Sequence, residues 1–236
     1  MIKSDNISDY KKHTTDPIYK SDNRNTTTNS DTRLENRKLR LAILGAGGIA
    51  RKMAETVNRM EKVELYAVAS RTEEKARQFA DTYHASRWYG SYEEMVADDG
   101  IDLVYIATPH SHHKEHTMLC LNHNRAVLCE KAFAVNTKEA EDMIRLAKEK
   151  NILLAEAMWV RYMPMSFTLK EIIDSDVIGK ITGLTANLGY SLMQVERLIR
   201  PELAGGALLD LAPYTLNFAT WVLGDNVSAI QKKKNP

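Results

Sequence analysis

A glycine turn between an apolar run and a helical pattern limits what this chain can fold into more than any other feature. Leu39-Arg40-Leu41-Ala42-Ile43-Leu44 is short, apolar and glycine-terminated, and it reads as a buried strand. The turn itself, Gly45-Ala46-Gly47-Gly48-Ile49-Ala50, is a G-x-G-x-x-A, and a helical pattern follows from about Ile49 to Met60. Gly45 can make the tight turn, the absent side chain at Gly47 lets a pyrophosphate approach the backbone, and Ala50 permits close helix–strand packing. The helix N-terminus presents free N–H groups and a positive dipole end to phosphate. Glycine spacing alone says little. Here it stands in the strand–turn–helix setting that dinucleotide binding requires, with Gly45, Gly47, Gly48 and Ile49 at the ligand.

The pattern repeats down the chain. Strands are predicted at Val63–Ala69, Ile101–Ala107, Ala126–Glu130 and Ile152–Ala157, and helices over Thr72–His84, Tyr92–Asp98, His113–Asn122 and on to about Lys150. Thr72 is a candidate N-cap, and Asn136-Thr137-Lys138-Glu139 carries the cap residue and the Glu three places on that open a helix. Strands alternating with helices at this spacing imply βαβ units on a parallel sheet, hence an α/β, doubly wound domain over residues 38–158. From 159 to 236 the pattern loosens: a helix at Pro164–Asp174, one long strand at Lys180–Ser191, a helix at Gly206–Leu223 capped by Gly224, and a further strand at Val227–Gln231. This reads as the start of an α+β domain that is incomplete. Residues 1–37, rich in Asn, Asp, Thr and Ser, have no period and read as a disordered polar extension.

Composition removes several classes of function. With 32 basic against 31 acidic residues and a net charge of +1, the chain lacks the basic excess of a nucleic-acid binder. No uncharged apolar run reaches the roughly 18 residues a membrane helix needs, and no secretory leader is visible. Cys120 and Cys129 fit neither a disulfide framework nor a CxxC pair, so they read as buried, reduced thiols of a cytoplasmic protein.

Three further segments carry chemistry. Ser70-Arg71 ends the second strand, where an NAD site would place an acid on the ribose 2′-hydroxyl. An arginine there can pair with a 2′-phosphate, so NADP is the preferred cofactor and NAD the lesser one. Thr108-Pro109-His110-Ser111-His112-His113, with His116 a turn on, invites a metal hypothesis. No acid joins these histidines at a ligand spacing, and the loop leaves the carboxyl end of a strand, so Thr108 and His110 are read as lining for a cofactor or substrate, with no metal. Glu130-Lys131-Ala132 follows another strand at the same edge, where a partly desolvated lysine can act in proton transfer or simply pair with Glu130.

Gly45–Ala50, Ser70-Arg71, Ala107-Thr108-Pro109-His110, Cys129-Glu130-Lys131-Ala132, Ala155-Glu156-Ala157-Met158-Trp159-Val160-Arg161-Tyr162 and Gly205-Gly206-Ala207-Leu208-Leu209-Asp210-Leu211-Ala212-Pro213-Tyr214 occur in this order. Together they resemble the Gfo/Idh/MocA family of NAD(P)-dependent oxidoreductases, over about Leu39 to Gly224. Within it the resemblance is strongest to the branch of dihydrodiol dehydrogenases and glucose–fructose oxidoreductase. The resemblance implies a Rossmann domain, a second domain whose open sheet covers the nicotinamide, and a homo-oligomeric full-length form. It also implies hydride transfer to or from a sugar or cyclic diol.

By the same resemblance Lys131, Asp210 and Tyr214 are catalytic: Tyr214 transfers the proton with Lys131 assisting, and Asp210 orients the substrate or Lys131. At i, i+4 on one helix, Asp210 and Tyr214 would share a face. Glu130, Lys131, Trp159 and Arg161 would sit against the cofactor. Ala132 stands where the family has a proline after a cis bond. A non-proline cis bond costs about 3 kcal/mol, which predicts a different backbone at Lys131. His110 stands in place of asparagine. Family members continue for about another hundred residues, so the alternative to an enzyme is a nucleotide-binding remnant without the substrate-side sheet.

Overall fold

The computed structural model describes Arg37–Gly224. The extension expected before Arg37 and the strand expected at Val227–Gln231 lie outside the described residues. In chain order the first part comprises β1 (Leu39–Leu44), α1 (Gly48–Val57), β2 (Val63–Ala69), α2 (Glu73–Tyr83), β3 (Arg87–Tyr89), α3 (Tyr92–Val96), β4 (Leu103–Ile106), α4 (His113–Asn122), β5 (Ala126–Cys129), α5 (Thr137–Lys150) and β6 (Leu154–Glu156). All strand pairs are parallel, in the order β3-β2-β1-β4-β5-β6. This is the doubly wound dinucleotide-binding order, with its reversal between β1 and β4.

The central strands β1, β2 and β4 form because their residues bury on both sides. Successive side chains of a strand point to opposite faces. Ala42 and Leu44 of β1 join Val104, Ile106 and Val127 against α3, α4 and α5 through Met95, Leu121 and Ala147. Leu41 and Ile43 join Leu65, Val68 and Tyr105 against α1 and α2 through Ala50, Ala54 and Phe79. A strand buried on both faces reads as a continuous apolar run, which is why β1 and β2 were legible.

Two helix starts, those of α3 and α5, carry side-chain caps. Asn136 Oδ1 accepts the Glu139 N–H at 3.0 Å, and Ser91 Oγ accepts the Glu94 N–H at 3.2 Å. Thr72 occupies the N-cap position of α2, but its side chain accepts no capping hydrogen bond.

After β6 come a 3₁₀ turn (Trp159–Tyr162), α6 (Pro164–Asp174), α7 (Glu196–Ile199), a second 3₁₀ turn (Pro201–Leu203), α8 (Ala207–Asp210) and α9 (Ala212–Leu223). Two expectations are corrected here. Residues 180–191 form no strand; among the described residues no neighbouring strand pairs with them, and an unpaired strand leaves its backbone groups without partners. Gly206–Leu223 is two helices rather than one, interrupted at Leu211. Pro213, near the start of α9, has no N–H to donate, and its ring opposes the carbonyl four residues back. Gly224 does cap α9, at φ +83, with its N–H on Thr220 O at 2.8 Å. Of the expected α+β domain, the described residues supply helices and no strand. None of their helices is long and apolar enough to cross a membrane.

Candidate active site

The site begins at the end of β1. Gly45 has φ +101, and a Cβ there would lie 2.9 Å from Thr108 Cγ2, so both backbone and space demand glycine. Its N–H donates to Ala69 O at 3.0 Å, which pins the turn between β2 and the loop after β4. Gly47 is different. Its φ is −97, and a Cβ would make only an ordinary contact, 3.8 Å from Ala107 O. Among the described residues nothing requires glycine at that position, whereas a ligand lying on the backbone would. No side chain caps α1, and its first turn holds no acid. The N–H groups at its start therefore suit phosphate, and these residues fit a dinucleotide.

The loop after β4 is held by histidines. Thr108 Oγ1 lies 2.9 Å from His116 Nδ1. The ring nitrogens of fully buried His113 lie 2.7 Å from Ala132 O and 2.9 Å from Thr108 O, between the Thr108 and Lys131 loops, and the neutral ring donates its single N–H to one of these two carbonyls. Burial pushes the pKa values of both His113 and His116 down to about 4. His110 is buried at the cleft with Nδ1 3.2 Å from Ala204 O, and burial lowers its pKa as well. Among the described residues no cluster of three His, Cys, Asp or Glu side chains could hold a metal.

Glu130 and Lys131 follow directly on β5. Buried Glu130 accepts the Tyr105 hydroxyl and, at 3.2 Å, the Lys131 N–H. Burial raises its pKa, partly offset by those two groups. The Lys131–Ala132 peptide bond is cis although no proline follows, so the expected change of backbone at Lys131 is not seen. Lys131 Nζ donates to Asp210 O at 2.7 Å and to Asp210 Oδ1 at 2.9 Å, with the two side chains only 11% and 7% exposed. The same ammonium stands 5.0 Å from the centroid of the Tyr214 ring, over its face. Trp159 Nε1 donates to the Tyr214 hydroxyl at 3.3 Å. Asp210 and Tyr214 thus converge on Lys131, but from α8 and α9 across the break at Leu211 rather than from one helix face.

A cleft of about 580 Å³ joins these parts. Of the residues expected at the site, Gly47, Gly48, Ile49, Thr108, His110, Glu130, Lys131, Trp159, Asp210 and Tyr214 line it. Gly45 lies behind them as the turn. Ser70, buried, and Arg71, exposed, sit at the end of β2 outside the lining, with the Ser70 N–H on Tyr89 O. Arg161 is not among the lining residues; its Nε donates to Asn217 Oδ1 at 3.1 Å on α9, a contact 56 residues away that no local motif could foretell.

Lys52, Tyr190, Leu192 and Arg197 line the cleft without having been foreseen. Arg51-Lys52 near the positive end of α1, with no acid in its first turn, breaks the usual charge preference of a helix start; that was an available signal. Arg197 gave none, because its segment has no period.

Comparison with known proteins bears on the family and the fold. The model of the oxidoreductase family with an NAD-binding Rossmann fold matches residues 39–158, and that of the GFO/IDH/MocA C-terminal domain matches residues 167–234. The chain belongs to the Gfo/Idh/MocA oxidoreductase family. It is 36% identical over 196 residues to trans-1,2-dihydrobenzene-1,2-diol dehydrogenase of Danio rerio, covering 82% of this chain and 59% of that protein. It is 39% identical over 206 residues to D-xylose 1-dehydrogenase (NADP(+)) of Hypocrea jecorina, covering 78% and 52%. A solved 3-ketoreductase from Actinomadura kijaniata, in complex with NADP and TDP-benzene, superimposes with a TM-score of 0.72 at 25% identity, covering 80% of this chain and 58% of that one. The chain therefore spans little more than half the length of these relatives.

Proposed function

We propose that this chain binds NADP in preference to NAD and supports hydride transfer to or from the carbinol carbon of a sugar or cyclic diol. The observation that carries this is the Lys131 ammonium, held on Asp210 in the same cleft as the Gly47–Ile49 turn. The nicotinamide, when bound, supplies the hydride chemistry. The chain's own residues do the rest. The Gly47–Ile49 turn receives the pyrophosphate, and Arg71, with Ser70 beside it, receives the 2′-phosphate. Tyr214 exchanges the substrate's hydroxyl proton, with the Trp159 N–H donating to the phenolic oxygen and Lys131 supplying positive charge over the ring. Asp210 holds Lys131 in place. Thr108 and His110 line the approach, and Arg161 acts as a brace to α9 rather than as a cofactor contact.

The reading extends to domains and setting. Residues 38–158 are the nucleotide domain and 159–236 begin the substrate-side domain. The absence of an acid at Ser70-Arg71 supports NADP, as do the two relatives whose names include it. Two unpaired, buried cysteines fit a reducing cytoplasm. A homo-oligomer and a small-molecule substrate complete the proposal.

The test is turnover of NADPH or NADP with a panel of aldoses and cyclic diols, beside nucleotide titration. Lys131→Ala should lose about 10²–10⁴-fold in kcat, the range of general acid–base catalysis, with nucleotide affinity kept. Unchanged turnover in that variant removes Lys131 from the mechanism. Nucleotide binding by the wild type with no turnover on any substrate identifies a binding module instead.

A further inference from the structure

Arg197 sits on α7, and both of its terminal nitrogens lie 3.3 Å from Asp210 Oδ1. That oxygen also takes the Lys131 ammonium at 2.9 Å. Two cations therefore share one carboxylate, whose side chain is 7% exposed against 44% for Arg197. The approach depends on Gly205. A Cβ there would lie 2.7 Å from Arg197 O and 2.6 Å from Leu198 O, closer than side chains pack against backbone, so any other residue would push α7 off the glycine pair. The Gly205 N–H fastens the turn to Arg200 O at 3.1 Å.

We infer that Arg197 is a positioning residue, which holds the Asp210 carboxylate on Lys131 and acts through it rather than on the reacting atoms. This rests on the function proposed for Lys131. The charges facing Asp210 are Lys131 from the loop after β5 and Arg197 from α7, with the rings of His110 and Tyr214 nearby. Burial alone would raise the Asp210 pKa. Lys131 first and Arg197 second outweigh that burial and hold it below the ordinary carboxylate value. With Arg197 removed, one of two cations remains, and the carboxylate is free to rotate about its single tether.

A carboxyl whose folded pKa is depressed adds stability that is present above its unfolded pKa and lost as the pH falls through the folded one. Arg197→Gln in the full chain should therefore melt below wild type at neutral pH, and the gap should close as acid protonates Asp210. A gap that stays constant at every pH overturns the inference.

Turnover gives the second readout. Arg197→Gln should lose about 10- to 100-fold in kcat, the scale of a misplaced catalytic group, with the nucleotide KM unchanged and the acid limb of the pH profile moved upward. The exposed edge of Arg197 leaves room for chemical rescue, so millimolar guanidinium should restore part of the loss in Arg197→Ala. Arg197→Lys, which keeps the charge without the fork, should recover less than full rate. Wild-type kcat and an unmoved acid limb in Arg197→Gln overturn the inference. If the wild-type chain turns over nothing, the proposed function fails on its own, and the melting-against-pH comparison still judges Arg197.

Discussion

Gly45 and Gly47 stand two residues apart in one turn, and the structure gives them opposite reasons to be glycine. Gly45→Ala puts a Cβ at φ +101, which costs about 1–2 kcal/mol for a left-handed L-residue. The new atom lies 2.9 Å from Thr108 Cγ2 and 3.3 Å from Ala107 C and O. Thr108 cannot simply turn away, because its Oγ1 is engaged with His116. Overpacking of this kind adds about 1–3 kcal/mol. The sum, about 2–5 kcal/mol, lowers the melting temperature by roughly 4–20 °C in a domain of this size.

Gly47→Ala meets only Ala107 O at 3.8 Å with an ordinary φ of −97, so its stability should stay within about 0.5 kcal/mol of wild type. Its Cβ enters the space proposed above for the pyrophosphate. NADPH affinity should fall at least about tenfold, about 1.4 kcal/mol. Calorimetric melting and isothermal titration on both variants read the two effects separately. Wild-type affinity in Gly47→Ala would refute the pyrophosphate position. An unchanged melting temperature in Gly45→Ala would refute the account of the turn.

Two other outcomes are expected. Arg71→Ala should weaken NADP by about 10- to 100-fold, the worth of hydrogen bonds to a charged group, and leave NAD within a few-fold; competitive titration of the two nucleotides checks this, and an equal loss for both would count against a 2′-phosphate contact. Burial pushes the Cys120 thiol up to about 12 and the Cys129 thiol higher still, so native protein should be inert to an aromatic disulfide reagent at mildly alkaline pH. Two thiols should appear only after denaturation, and a stoichiometric native reaction would contradict the burial.

Parts of this molecule are written locally, and those were legible. β2 spans Val63–Ala69 as the pattern predicted, because double-sided burial makes a parallel strand a plain apolar run, and α4 spans His113–Asn122 as expected. The N-cap at Asn136 was readable because capping involves residues only three apart. β3 was not, since Arg87–Tyr89 is three residues long with two of them exposed, and it exists only through pairing with Ala67–Ala69 of β2. Residues 180–191 failed in the other direction: their composition suits a strand, but a strand is a property of a pair.

The site divides in the same way. By itself the sequence determined the parallel sheet and the glycine turn, and with the family resemblance it marked out Lys131, Asp210 and Tyr214, because periodicity, turn chemistry and motif are short-range. Only the tertiary structure decided that Lys131 rests over the Tyr214 ring and that Arg161 braces α9. It alone brought Arg197 to the same carboxylate oxygen as Lys131. Lys131 and Asp210 are 79 residues apart. Contacts at that separation depend on chain packing, here on a break before Pro213 and a missing side chain at Gly205, and no local pattern encodes where two distant charges will meet.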